Sequence, residues 1–262
     1  DLERQSSLGS IPADIKVEAF RGNKYILRPN GNLAGLLVSL NQLPELIFKM
    51  TEWLVDHHYP IIRGRRIEHD FSEVAKFPSF GFEEVEQINK NQTPPIGSCM
   101  DSFIVGVPFG ALSAKTLYDI VDLGSGMRLT PWRRLILENA QGIEHPELIS
   151  DAYDPRLWIS ACVGKPSCSQ GKVETRNLAE LIAKNVKLYP NQPSLNDLEM
   201  RVHVSGCSKG CANPGKATLT LVGLDNENFN MIFNGSSLDK PNHFDVKKSS
   251  ILTDINKVLG KR

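Results

Sequence analysis

Four cysteines hold the clearest chemical potential in this sequence. Cys162 and Cys168 share one loop, Ala161-Cys162-Val163-Gly164-Lys165-Pro166-Ser167-Cys168, a C-x5-C spacing. Cys207 and Cys211 share a second, Val204-Ser205-Gly206-Cys207-Ser208-Lys209-Gly210-Cys211-Ala212-Asn213-Pro214-Gly215, a C-x3-C spacing. A [4Fe–4S] cube takes four thiolates, one on each iron, from loops able to wrap it. The glycines of both loops let the main chain approach inorganic sulfide and donate N–H bonds to it. Pro214 and Gly215 fix the exit from the second loop. Two other readings stay open on spacing alone. Structural zinc sites separate paired cysteines by roughly two to four residues, which C-x3-C fits and C-x5-C does not. Four unrelated buried cysteines are the third reading. Cys99 stands apart and is expected to have no part in the site.

The elements that must position these loops are legible around them. A helix over 172–185 is expected to leave the first cysteine loop, and strands over 200–205 and 217–223 to flank the second. Upstream, 103–107 (FIVGV) reads as a short buried strand. Residues 113–123 read as a helix with Ser113 as N-cap, ended by Gly124-Ser125-Gly126. Strands follow from Met127 and over 134–137. Nearer the start, 14–31 reads as strand, turn and strand, because Ile15, Val17 and Ala19 alternate with polar residues. Apolar residues at helical spacing over 33–58 predict helix, split in two by Pro44. The basic run Arg63-Gly64-Arg65-Arg66 and a polar linker at about 76–98 come next. Strands and helices mixed in this way predict the α+β class.

An internal echo runs through the chain. Residues 218–235 match 14–31 in length and pattern, each a strand, a polar turn, a strand and Asn-Gly. Tyr25 falls opposite Phe229, and apolar helical patterns follow both segments. Either two hairpins look alike, or a domain is duplicated. At the same offset Cys207 and Cys211 fall opposite Glu3 and Ser7, so a first copy would have no such cysteine pair here.

Bulk properties narrow the function class. The 262 residues are 40% hydrophobic and 23% charged, ordinary for a globular protein. Thirty basic residues balance thirty acidic ones, so no global charge argues for nucleic acid or a membrane surface. No apolar run approaches the ~20 residues of a membrane span. Cysteines gathered in two loops suit a metal site in a reducing compartment, and a cytoplasmic location is the expectation. The opening at Asp1 rather than Met reads as a trimmed or partial start.

The C-x5-C loop followed by Gly206-Cys207-Ser208-Lys209-Gly210-Cys211-Ala212-Asn213-Pro214 resembles the cluster motif of the sulfite and nitrite reductase superfamily. Further motifs resemble its cobalamin-pathway branch, the precorrin-3B synthase family. They are Val107-Pro108-Phe109-Gly110, Arg128-Leu129-Thr130-Pro131-Trp132-Arg133, Thr175-Arg176 and the run from His203 to Cys211. The resemblance covers roughly residues 100–241. It implies a ferredoxin-like half-domain plus a sulfite/nitrite reductase-type [4Fe–4S] αβ domain. Residues 1–68 would be the tail of a first, cysteine-free repeat, 69–148 the half-domain with its linker, and 149–262 the cluster domain.

The resemblance also implies an activity: O2-dependent hydroxylation of precorrin-3A with lactone closure, fed by an electron donor. Mononuclear iron would be a further cofactor. The alternative in the same superfamily is a sirohaem-dependent sulfite or nitrite reductase, in which Cys211 would also bridge to the sirohaem iron. A third reading is a cluster-bearing half-protein that needs a partner. Precorrins and sirohaem are both fringed with carboxylates, which calls for Arg and Lys. The candidates are Arg128, Arg133, Lys165, Arg176 and Lys209, with Arg134 and Lys216 nearby. His203, on a strand, reads as a packed histidine. No catalytic residue is assigned.

Overall fold

In the computed structural model burial does not follow the alternation read over 15–19: Val17 and Ala19 are exposed, and Lys16 and Glu18 are half-buried. The structure describes residues 13–20, 22–29, 34–56, 83–84, 93–123, 126–185 and 202–259. They belong to two compact units, Asp1–Gln92 and Thr93–Arg262. The division falls inside the polar stretch expected as a linker. The basic run 63–66 lies outside the described residues.

In the first unit, strands β1 (Ile15–Ala19) and β2 (Lys24–Pro29) pair antiparallel, with Gly22 at φ +68° in the turn. Strand β3 (Ala34–Ser39) adds to β2, and β4 (Glu83–Glu84) adds to β3. Helix α1 (Leu43–Asp56) then packs Leu43 and Met50 with Leu27 and Val38. The helix expected from residue 33 is corrected here. Leu36 and Leu37 lie on β3, and Leu40 in the turn after it. Helical spacing loses to the free edge of β2, whose backbone groups need partners. Pro44 does not split the helix. It is the second helical residue, near a start where its missing N–H costs little.

The second unit holds two sheets. The first contains β5 (Gly97–Cys99), β6 (Ser102–Gly106), β7 (Met127–Leu129) and β8 (Arg134–Glu138), in the order β5-β6-β8-β7 and antiparallel throughout. Helix α2 (Ala114–Val121) is capped by Ser113, whose Oγ accepts from the Thr116 N–H at 3.0 Å. Its Ile120 enters a core of Val105, Val107, Leu135, Leu137 and Leu148.

The second sheet contains β9 (Ile159–Ala161), β10 (Val202–Ser205), β11 (Ala217–Gly223), β12 (Asn228–Gly235) and β13 (His243–Lys247). Its order is β13-β12-β11-β10-β9, and β9, β10 and β11 run parallel. Helices α3 (Arg176–Asn185) and α4 (Lys248–Leu259) contribute Leu178, Ile182, Ile251 and Ile255 to one core. The strands meet them with Ile159, Val202, Val204, Leu219, Leu221 and Phe229. Strand side chains alternate, so Ser160, His203 and Thr220 face the other way, and they too are buried. Helix α3 starts at Arg176 rather than the expected Lys172. The Lys172 N–H donates to the Gly206 carbonyl at 2.8 Å, and the Thr175 hydroxyl to the Cys162 carbonyl at 2.5 Å, which holds 172–175 against the cysteine loops.

The echo extends to register. Ala19 pairs with Tyr25 in the first hairpin and Gly223 with Phe229 in the second, both displaced by 204 residues. A third strand and a helix follow each hairpin.

Arg133 joins the two sheets of the second unit. It sits at φ +56° in the turn before β8, and its carbonyl accepts from the Val107 N–H at 2.7 Å. Its guanidinium donates to the Ile159 carbonyl at 2.7 Å and the Leu157 carbonyl at 2.8 Å, at the edge of β9. Burial pushes its pKa down to about 10, so it stays charged at neutral pH. Replacing it by alanine removes two charge-assisted bonds and should lower stability by about 2–4 kcal/mol. Arg133→Lys should recover little, because an ammonium cannot reproduce the fork. The urea midpoints of the two variants check this, and a Lys variant equal to wild type would contradict it.

Candidate metal centre

Two parallel neighbouring strands bring the cysteine loops together. β9 ends at Ala161 and β10 at Ser205, so Cys162 and Cys207 follow strand ends on the same side of the sheet. Sites in open α/β sheets form in this position, beyond the carboxyl ends of parallel strands. The Gly206 N–H donates to Cys162 Sγ at 3.1 Å, and the Cys162 N–H to the Val204 carbonyl at 3.2 Å. A Cβ on Gly206 would stand 3.5 Å from Cys162 Sγ, 3.4 Å from Gly164 Cα and 3.5 Å from Gly171 Cα. Three stretches of chain therefore meet at one residue without a side chain.

Gly164 makes the first loop. It has φ +58°, and a Cβ there would lie 2.6 Å from Thr175 Oγ1 and 2.8 Å from the Val173 carbonyl. The Cys168 N–H donates to the Gly164 carbonyl at 2.8 Å, closing the turn. In the second loop the Ser205 hydroxyl donates to the Cys207 carbonyl at 2.7 Å, and the Ser237 hydroxyl to the Ser208 carbonyl at 3.0 Å. Gly210, at φ +62°, lies against Ser237, whose Oγ would be 2.3 Å from an added Cβ.

All five cysteines are free thiols, with Cys211 exposed and the others half-buried. Among the described residues, no three His, Cys, Asp or Glu side chains are grouped to hold one metal ion. The loops are brought to one end of the sheet, but the thiols are not drawn around a single ion. A cube asks for something else: one thiolate at each of four irons, and main-chain N–H groups directed at sulfur. The all-sulfur donor set, the N–H bond to Cys162 Sγ and the glycine-lined contact suit that chemistry.

The five candidate cations stand in different surroundings. Lys165 and Lys209 are exposed on the two cysteine loops. Arg176 opens helix α3, and its Nε is buried with no hydrogen-bond partner. Arg128 pairs with Glu138. Arg133 is engaged by main-chain carbonyls, which sequence reasoning did not foresee; its φ and its turn position gave no signal. Cys99 lies on β5 in the other sheet.

A cleft of about 560 Å3 adjoins the second cysteine loop. Cys207, Ser208, Val222, Asn230 and Ile232 line it, together with Lys172 and the acids Asp225, Asp239 and Asp245. Lys172 pairs with Asp225 at 3.2 Å. Asp239 accepts from the Ser236 N–H, which holds its carboxyl below the usual carboxylate range. Nothing in the sequence pattern brought these acids together in advance.

No protein-family model matches the chain. Its sequence is 36% identical to a precorrin-3B synthase of a Sinorhizobium species over 91 residues, 35% of this chain and 18% of that protein. It is 30% identical to the sulfite reductase [NADPH] hemoprotein beta-component of Afipia carboxidovorans over 149 residues, 51% of this chain and 25% of that protein. The structure of the NirA protein of Mycobacterium tuberculosis superposes with a TM-score of 0.54 at 18% identity, covering 98% of this chain and 58% of that one. The fold is thus the α+β fold of that protein, and in sequence the chain is similar to a precorrin-3B synthase and to sulfite reductase haemoproteins. The resemblance to precorrin-3B synthase holds over about a third of the chain. The matched segments span only about a fifth to a quarter of those two relatives' length. No helix among the described residues is long and apolar enough to cross a membrane.

Two outcomes follow from this geometry. Gly164→Ala should distort the first cysteine loop and cost about 1–3 kcal/mol, through a strained φ and a clash with main chain; an unchanged urea midpoint would contradict the packing. His203 is wholly buried, and burial pushes its pKa down to about 4, against about 6.5 when unfolded. The unfolded chain then binds the proton first. The stability due to the neutral ring is complete above about pH 6.5 and is lost as pH falls toward 4, by up to about tenfold in the folding constant per pH unit. Urea midpoints measured across that window should fall less steeply in His203→Phe than in wild type.

Proposed function

We propose that this chain is the cluster-bearing part of an oxidoreductase of precorrin-3B synthase type. Cys162, Cys168, Cys207 and Cys211 would hold one [4Fe–4S] cluster, and the substrate would be precorrin-3A, hydroxylated with O2 and closed to a lactone. The observation that carries the reading is the arrival of both cysteine loops at the same end of two parallel strands, with the Gly206 N–H directed at Cys162 Sγ. When bound, such a cluster supplies electrons one at a time.

The chain's own residues do the rest. Gly206 and Gly164 keep the loops close enough for main-chain N–H groups to reach sulfur. Lys165, Arg176 and Lys209 offer cations to the macrocycle's carboxylates, and Arg176 stands at the first turn of α3, where the helix field also favours anions. Arg128, itself exposed, can contribute by exchanging its partner Glu138 for a substrate carboxylate. Arg133, although a candidate by type, supports the site by tying the sheets together. The cleft beside Cys207 is a poor seat for the macrocycle, since three Asp side chains line it. An electron donor and a mononuclear iron for the oxygen chemistry complete the proposal.

The second reading is a sirohaem-dependent sulfite or nitrite reductase. The similarity to a sulfite reductase haemoprotein over half of this chain favours it. A third reading is a cluster-bearing half-protein that needs a partner, and the small share of those relatives' length that the matches cover supports it. Residues 1–68 are then the end of a first repeat, supported by the matching hairpin registers.

Anaerobic purification tests the reading. About four irons and four sulfides per chain should be found, with cluster absorbance and without sirohaem bands. Cys207→Ser should lose the cluster, and Cys99→Ser should keep it. One zinc and no sulfide would overturn the metal assignment. Stoichiometric sirohaem with turnover of sulfite or nitrite would replace the synthase reading by the reductase. Lys209→Ala and Arg176→Ala should each weaken macrocycle binding about tenfold with the cluster spectrum intact, as expected for one charge-assisted contact.

A further inference from the structure

The polar face of the second sheet contains three buried atoms that the fold leaves without partners. Ser160 on β9 and His203 on β10 are register neighbours, and Thr220 on β11 is the next in the same row. His203 is 0% exposed and Ser160 4%. Thr220 is satisfied, since its hydroxyl donates to the Gly235 carbonyl at 2.7 Å. Ser160 Oγ, His203 Nδ1 and His203 Nε2 have no hydrogen-bond partner. Buried polar atoms are as a rule paired, with protein or with ordered water.

We propose that Ser160 and His203 together hold an internal water molecule. The chemistry matches. A neutral imidazole offers one donor and one acceptor, and a serine hydroxyl offers both. A water with two hydrogens and two lone pairs can serve the two residues at once, and buried waters typically make about three such bonds. The row also runs toward the cleft. Val222 pairs in register with Ser205, one step along the same face from the His203–Thr220 pair, and Val222 lines the cleft.

The consequence is positional. The water fixes the tautomer and orientation of the His203 ring at the root of the loop that carries Cys207. Two residues on, the Ser205 hydroxyl holds the Cys207 carbonyl from the same face of β10. Ser160 and His203 are thus positioning residues for that loop. The water site rests on the sheet alone and does not require the proposed cluster.

A crystal structure of the full chain, at a resolution that shows ordered solvent, is the first test. A water within hydrogen-bond distance of Ser160 Oγ and a His203 ring nitrogen is expected, and dry density between them would overturn the inference. Ser160→Ala is the second. It should change the ring 15N shifts of His203 and lower the urea midpoint, because the water loses a partner. Unmoved shifts with a raised midpoint would mean that Ser160 was unpaired in a dry site, and would overturn the inference. A water found in protein that lacks iron and sulfide supports this inference and counts against the metal reading alone.

Discussion

The arrangement depends on one close approach, that of Gly206 to Cys162. The N–H of Gly206 meets Cys162 Sγ at 3.1 Å, and a Cβ added to this glycine would already reach van der Waals contact with Gly164 and Gly171. Parallel pairing of β9 and β10 makes the approach available, because it sends both loops out on one side. A side chain larger than a methyl at 206 would drive the loops apart. The C-x5-C loop, the N-terminal approach to α3 and the C-x3-C loop are all held by bonds that converge here: Lys172 to Gly206, Thr175 to Cys162 and Cys162 to Val204.

The second sheet divides its labour by face. Its apolar face packs against α3 and α4 and supplies the hydrophobic driving force, with Phe229, Leu219, Leu221 and Ile159 wholly buried. Its other face is buried yet carries serine, threonine and histidine. Burial without pairing costs free energy, so that face is tolerated only where hydrogen bonds or water satisfy it. Thr220 and Ser205 show the first solution, each bonded to a carbonyl. Val222 and Ile232, which line the cleft, continue the same face toward it.

Sequence periodicity served well where one force dominated. The hairpin at 14–31, the capped helix after Ser113 and the strands beside the second cysteine loop are where alternation and capping placed them, within a few residues. It failed at 33–42, where Leu36, Leu37 and Leu40 satisfy a helical spacing but β2 offers an unpaired edge. A single-segment pattern cannot see that edge. The cysteine loops were legible because ligand chemistry requires particular residue types at short spacing. Arg133 was not, because its role depends on carbonyls 24 and 26 residues away, at Leu157 and Ile159. The matching register of the two hairpins was only hinted at by residue type and becomes plain in the pairing of Ala19 with Tyr25 and Gly223 with Phe229.

Charge separates the two sides of the candidate centre. On one side of the second loop lies the cleft with Asp225, Asp239 and Asp245, of which Lys172 pairs with the first; on the loops themselves lie Lys165 and Lys209, with Arg176 at the start of α3. A carboxylate-fringed macrocycle would be repelled by the first set and attracted by the second. Cys207 nonetheless lines the cleft. Small neutral molecules, water among them, meet no charge penalty there. The fold therefore offers two approaches to one pair of loops, a cationic one suited to a large anion and an acidic one suited to solvent, and the second loop, from Cys207 to Lys209, belongs to both.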